Sequence, residues 1–111
     1  KDDKKNKTVL TKRLRLINKT LNLTLEVNDG DIIGRKTGKF ISQLADHKQI
    51  SAKQCEINCT IDNGWTVKEY GSTNGTKLNG SLLEAMVAHK INNADTLTLA
   101  NIEFYVEITD K

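Results

Sequence analysis

Cys55-Glu56-Ile57-Asn58-Cys59-Thr60-Ile61-Asp62-Asn63-Gly64-Trp65-Thr66-Val67-Lys68-Glu69 switches between apolar and polar at almost every step. Cys55, Ile57, Cys59 and Ile61 share one parity, with Glu56, Asn58 and Thr60 on the other. Period two is the pattern of a strand with one face on a core and one in water. Asp62-Asn63-Gly64 supplies a short hairpin connection, and Trp65, Val67 and Glu69 continue on a return strand. The Asn-Gly pair is the strongest local hairpin signal in the chain.

The same period extends in both directions. Leu21, Leu23, Leu25 and Val27 alternate with Asn22, Thr24 and Glu26, then stop at the turn-forming Asn28-Asp29-Gly30-Asp31. Val9, Leu10, Leu14 and Leu16 form an earlier apolar pattern, and Ile32 and Ile33 open a strand closed by Gly34 and the Lys36-Thr37-Gly38 loop. Near the end, Leu97 and Leu99, a turn at Ala100-Asn101, and Ile102, Phe104, Val106 and Ile108 make another hairpin. Ser81 to Ala88 has apolar residues at helical spacing, but eight residues are too few for a stable isolated helix, so an irregular strand or single turn is predicted. Ile41, Leu44 and Ala45 are predicted to line a short turn between Phe40 and Lys48. The pattern describes an all-β, two-layer antiparallel sandwich. Residues 1–8 read as a charged linker or tail and residues 9–111 as one domain.

The net charge of +3 is unevenly placed. Residues 1 to 19 hold eight basic residues and two acidic ones, while the remaining 92 hold nine basic and twelve acidic. The body is mildly acidic, which argues against a nucleic-acid-binding face; weak polyanion contact by the basic N-terminal segment is the reading left for that charge. No apolar run approaches the ~20 residues that cross a bilayer, so a cytoplasmic domain with no membrane contact is expected, monomeric in isolation. Cys55 and Cys59 share parity about 13 Å apart along a strand, too far for a disulfide, and read as two buried thiols. Asn-x-Ser/Thr triplets such as Asn22-Leu23-Thr24 and Asn74-Gly75-Thr76 are expected by chance in a chain this rich in both residues.

Tyr70-Gly71-Ser72-Thr73-Asn74-Gly75-Thr76-Lys77-Leu78-Asn79-Gly80 places short hydroxyl and amide side chains among three glycines. Such a stretch forms a sharply turned polar rim on a β scaffold. Ile33-Gly34-Arg35 and Gln49-Ile50-Ser51-Ala52-Lys53-Gln54 bring a guanidinium, a hydroxyl and an ammonium to other strand ends. A phosphate dianion is best held by a planar, permanently charged fork together with directional neutral donors. Arg35, the one arginine beyond residue 15, is the candidate fork, with Ser51, Lys53 and Thr73 beside it. Asn74 carries both a donor and an acceptor, suited to the backbone of an extended peptide. Ordinary alternatives are a packing arginine, a strand cap at Ser51, a solvated Lys53 and an Asx turn at Asn74. Gly75 relieves a backbone with positive φ.

Taken in order, Ile33-Gly34-Arg35, Ile50-Ser51 through Gln54, Tyr70 to Gly80 and Asn93-Ala94-Asp95-Thr96-Leu97 resemble the forkhead-associated (FHA) domain, from about Leu21 to Ile108. The resemblance implies a twisted antiparallel sandwich of about eleven strands, FHA/SMAD-like, whose end loops bind phosphothreonine peptides. Under it Arg35 and Ser51 hold the phosphate, Thr73 assists, and Asn74 grips the peptide backbone near the residue after the phosphothreonine; Lys53 stays the flexible point charge read from its place in the sequence. Gly34, Gln54 and Gly75 support the loops. Ala52 stands where the family usually has an arginine or asparagine, and Gln54 where a histidine usually braces the loops.

An enzyme is not expected. His47 and His89 lack metal-ligand spacing, the two cysteines point inward with no partner base, and Gly71 to Thr76 lacks the lysine of a P-loop. No cofactor or metal is expected. One tryptophan, two tyrosines and two phenylalanines offer few platforms for stacking bases, and Trp65 is predicted to pack on the sandwich. The alternative function is an FHA-like scaffold that binds an unmodified or acidic protein surface without phosphate.

Overall fold

The computed structural model describes residues 12–110, so the tail reading of residues 1–8 and the start of the apolar pattern at Val9 and Leu10 lie outside the described residues. Ten strands follow in chain order: β1 Lys12–Asn18, β2 Leu23–Val27, β3 Asp31–Ile33, β4 Cys55–Thr60, β5 Gly64–Glu69, β6 Thr76–Leu78, β7 Ser81–Leu82, β8 Ala88–Lys90, β9 Thr96–Leu99 and β10 Ile102–Asp110. A helix of four residues, α1 Ile41–Leu44, lies between β3 and β4. One sheet runs β2-β1-β10-β9-β6-β7 and the other β3-β4-β5-β8, and every strand pair is antiparallel.

Alternation does what it promises in the long strands. Leu14 and Leu16 of β1, Leu25 and Val27 of β2, and Phe104 and Val106 of β10 point into the core beside Ile57, Val67, Leu97 and Leu99. Leu14 pairs with Val27 and Ile108, and Leu16 with Leu25 and Val106, so the inward rows align across three strands. Trp65 is buried against the same core.

Several local expectations change. Ile61 is exposed because β4 ends at Thr60; Thr60 pairs with Gly64, and the hairpin loop comprises residues 61–63. Leu21 is exposed because the β1–β2 turn occupies positions 19–22, with Asn22 at φ 56°. Between Phe40 and Lys48 the anticipated turn is α1, and only its Leu44 is buried, while Ile41 and Ala45 face water. A single turn of helix can aim only one such position at the sandwich. Ser81 to Ala88 divides into the two-residue β7, a connecting turn and the start of β8.

Both cysteines are free; Cys55 is fully buried, and Cys59 only partly. Burial, reinforced by Glu69, pushes the Cys55 thiol well above the usual thiol range, and burial with Asp29 raises Cys59. Raised folded values leave stability intact below the ordinary thiol range and withdraw it as pH climbs above. Both thiols therefore stay protonated at neutral pH.

Part of the basic N-terminal charge is matched by carboxylates. Lys12 pairs with Asp110 at 2.7 Å, Arg13 with Glu26 at 3.4 Å, and Arg15 with Glu26 at 3.1 Å and Glu107 at 3.3 Å. No helix among the described residues is long and apolar enough to cross a membrane, and none of their His, Cys, Asp and Glu side chains cluster in threes as metal ligands.

Candidate functional site

Three connections meet at the end of the sandwich marked by Ile33, Cys55 and Glu69: residues 34–40, residues 49–54 and residues 70–75. The first two run side by side. Gln54 donates its backbone N–H to the Ile33 carbonyl at 2.9 Å, and Arg35 and Lys36 donate theirs to the Ser51 and Ala52 carbonyls at 3.0 and 3.1 Å. Gly34 permits this approach, because a Cβ there would run into the Ala52 carbonyl and lie 2.9 Å from Lys53 Cα.

Arg35 is half-buried, and its Nε donates to the Ile50 carbonyl at 3.0 Å. That bond anchors the guanidinium on the residue before Ser51, and its terminal nitrogens make no hydrogen bond or ion pair among the described residues. Ser51 Oγ accepts the Thr73 backbone N–H at 3.0 Å, joining the second and third connections and leaving its own proton free to donate. Thr73 is exposed. Arg35, Ser51 and Thr73 thus occupy one neighbourhood, tied by the Arg35 N–H on the Ser51 carbonyl and the Thr73 N–H on the Ser51 hydroxyl.

Lys53 stands to one side. Its Nζ lies 4.0 Å from the centre of the Tyr70 ring, and Tyr70 donates its hydroxyl to Glu56. That bond holds the Glu56 carboxyl below its ordinary range and raises the Tyr70 phenol. The structure does not join Lys53 to Arg35, Ser51 or Thr73 by any hydrogen bond among the described residues. Asn74 is exposed, and its Nδ2 donates to the Gln49 carbonyl at 2.8 Å and to Gln49 Oε1 at 3.0 Å. Both of its amide hydrogens are engaged, so Oδ1 is the atom it presents outward, an acceptor for a peptide N–H.

Gln54 is the brace behind this arrangement. It is fully buried, with Oε1 accepting the Ser51 N–H at 2.9 Å. Its Nε2 faces the Gly75 carbonyl at 2.8 Å and the Ser72 and Thr76 hydroxyls at 2.9 Å each. The donor on one side and the carbonyl on the other fix the amide in one orientation. One side chain therefore connects the 49–54 and 70–75 segments.

Sequence reading missed Glu69. It is 3% exposed and accepts the backbone N–H groups of Gly71 at 2.6 Å and Ser72 at 2.8 Å, together with the Ser72 hydroxyl and the Thr76 hydroxyl at 3.4 Å. A buried carboxylate satisfied by several donors acts as the hub around which residues 70–76 curl. The signal was present: Glu69 shares the inward parity of Trp65 and Val67. Gly75, at φ +82°, closes the loop, and its carbonyl also accepts the Ala100 N–H at 3.0 Å.

A cavity of about 480 Å³ lies at the opposite end, near the β4–β5 hairpin, lined by Trp65, Cys59, Ile91 and Ile108 among others. Its two lysines are committed elsewhere, Lys12 to Asp110 and Lys90 to the Asn63 carbonyl. It offers apolar walls rather than convergent donors.

The sequence was compared with known families and structures. The FHA domain profile matches residues 32–100, well over half of the chain and all the segments just described. No curated protein sequence matches. Among solved structures, the FHA domain of the CT664 protein from Chlamydia trachomatis is 19% identical, with a TM-score of 0.69 over 86% of this chain and 95% of that one. The N-terminal FHA domain of S. cerevisiae Rad53p, solved with a phosphothreonine peptide, is 18% identical, with a TM-score of 0.66 over 87% and 94%. A structure from a study of phosphothreonine-dependent FHA domain interactions is 24% identical, with a TM-score of 0.67 over 86% and 94%. At these identities the likeness concerns the fold, including the sandwich of two antiparallel sheets.

Proposed function

This chain belongs to the FHA domain family, and on that premise we propose that it recognises phosphothreonine-containing peptides as a non-catalytic module. The observation that carries the reading is the fixed Arg35 guanidinium: Nε is bonded to the Ile50 carbonyl while the terminal nitrogens stand free beside Ser51. In this reading those nitrogens form a bidentate pair with phosphate oxygens, and the Ser51 and Thr73 hydroxyls donate to the others. Lys53 adds a point charge from the flank, and Asn74 Oδ1 accepts a backbone N–H just after the phosphothreonine. Gly34, Gln54 and Gly75 act through the loops, setting the distances before ligand arrives, which lowers the ordering cost of binding. Ala52 contributes no donor, so affinity rests on fewer bonds than in family members with arginine or asparagine there.

Thr73 and Gly75 also shape a methyl-sized recess beside the phosphate. One buried methyl contributes about 1 kcal/mol, so matched phosphothreonine and phosphoserine peptides should differ about fivefold in affinity. The test is calorimetric titration with a degenerate phosphothreonine peptide pool beside its unphosphorylated, phosphoserine and phosphotyrosine counterparts. Phosphothreonine is expected to bind best and plain peptide not measurably. Equal binding of plain and phosphorylated pools would replace this reading with the scaffold alternative, in which an unmodified or acidic protein surface is the ligand.

A further inference from the structure

The cavity at the β4–β5 hairpin end contains a polar side chain that the fold leaves without a partner. Trp65 lines it and is 6% exposed, and its indole Nε1 is buried with no hydrogen-bond partner among the described residues. Buried donors ordinarily find an acceptor in the protein or in ordered water, so this orphan points to an acceptor from outside the fold. Ile61, Ile91 and Ile108 make much of the remaining wall, with the Cys59 thiol, which stays protonated at neutral pH and adds no negative charge. A volume of about 480 Å³ is that of a small-molecule site.

The charge around the cavity has one sign. Lys12 and Lys90 line it, and among the described residues no Asp or Glu does. Lys12 pairs with Asp110 at the surface, where such a bond holds weakly. Lys90 is placed more firmly. Its strand β8 lies beside β5, Ile91 donates its N–H to the Trp65 carbonyl at 2.9 Å, and Lys90 Nζ donates to the Asn63 carbonyl at 2.9 Å. That ammonium lies 3.4 Å from where a Cβ on Gly64 would sit, at the residue before Trp65. An ammonium carries three hydrogens, and the Asn63 carbonyl takes one.

We propose that this cavity binds a small amphipathic carboxylate, its apolar body lying on Trp65, Ile61 and Ile91 and its head group shared between Lys90 Nζ and the indole N–H. The site lies at the other end of the sandwich from Arg35 and does not depend on the function proposed above. An apolar body displaces water from the isoleucines, and the carboxylate brings the acceptor that the fold omits. An amine of the same length would meet two lysines and no carboxylate, so the sign of the wall selects the head group. Nε1 is closed to water, so the head group reaches it by a small turn of the ring. That turn makes the indole a reporter of occupancy.

Trp65 is the chain's one tryptophan, so its indole N–H resonance and its fluorescence report on this cavity alone. The experiment titrates the full chain with octanoate, octan-1-ol, octylamine and acetate, on wild type, Ile61→Glu and Lys90→Met. Ile61 is 60% exposed in the hairpin loop and Lys90 is exposed on an edge strand, so both variants should fold, which thermal melting checks. Octanoate should saturate with a dissociation constant of about 0.1–5 mM and move the indole proton downfield. Octylamine and acetate, each lacking one of the two recognised parts, should bind at least about tenfold more weakly. Ile61→Glu should weaken octanoate about tenfold by setting a like charge at the rim, and Lys90→Met should remove its advantage over octanol. An indole resonance that stays still up to the solubility limit, or that moves equally with octanoate and octylamine, would overturn the proposal. So would a resonance that responds to protein dilution or to Leu10→Asp with no ligand added, which would give the cavity to a second copy or to the chain's own N-terminal residues. Phosphopeptide binding decides neither result, so failure here leaves the phosphate site standing.

Discussion

Arg35→Ala is expected to weaken phosphothreonine-peptide binding by about two to three orders of magnitude, with the domain still folded. Each charge-assisted hydrogen bond contributes about 1.5–3 kcal/mol, and in the proposed pairing the variant removes two, taken here near the low end of that range for a solvent-open site. A loss of about 3–4 kcal/mol corresponds to that factor. Stability should change less, because the folded state forfeits the single bond from Nε to the Ile50 carbonyl, about 1 kcal/mol. The backbone bond from Arg35 to the Ser51 carbonyl remains available to alanine. Arg35→Lys separates charge from geometry: it keeps a cation but loses both the fork and the anchor on Ile50, so it should recover only a small part of the affinity. Calorimetry with one phosphopeptide, paired with thermal melting of each variant, reads both effects.

Gln54→Leu should show the reverse balance, a large stability loss that carries binding with it. Leucine fills much the same volume but leaves the Ser51 N–H facing apolar atoms in a site closed to water, while the Gly75 carbonyl keeps the Ala100 N–H. That orphaned N–H costs about 1–3 kcal/mol. The Ser72 and Thr76 hydroxyls suffer less, since both still reach Glu69. A total of about 1–3 kcal/mol lowers the melting temperature by about 5–20 °C in a domain of this size. Binding should fall even below the melting temperature, because Ser51 and Thr73 are then no longer held in register. Gln54→Glu isolates the donor: shape is kept, but Nε2 becomes an oxygen directed at the Gly75 carbonyl and near the Glu69 carboxylate. It should destabilise at least as much as leucine at neutral pH.

The contrast between these two positions shows what the sequence made legible. Arg35 could be singled out because a guanidinium after Gly34, near a hydroxyl-rich loop, has few ordinary uses at a strand end. The sandwich was equally readable, since Leu14, Leu25, Ile57, Val67 and Phe104 obey period two and burial follows parity. Gln54 was visible as a loop support, but its full set of partners depends on residues 18 to 22 positions away. No local pattern encodes such a meeting. Glu69 was hidden differently: a carboxylate on an inward parity looks like a strand end reaching solvent until the amides of Gly71 and Ser72 are seen turning back on it. Ile61 and Leu21 read as core because alternation alone does not say where a strand stops; the turns at 61–63 and 19–22 decide that. Asn74 follows Thr73 in the same loop, and that its amide hydrogens are committed to Gln49 was not visible in the sequence.

The central claim is that one guanidinium and two short polar loops form a phosphate site at the Ile33–Cys55–Glu69 end. Its most direct test is backbone and arginine side-chain NMR of the labelled domain, titrated with a phosphothreonine peptide and its unphosphorylated twin. The account predicts that the largest shifts fall on the amides of Arg35, Ser51, Thr73 and Asn74 and on the Arg35 guanidinium, with the plain peptide silent. Shifts centred on the Trp65 indole and residues 61–63 at the far end, or the same response to both peptides, would contradict it.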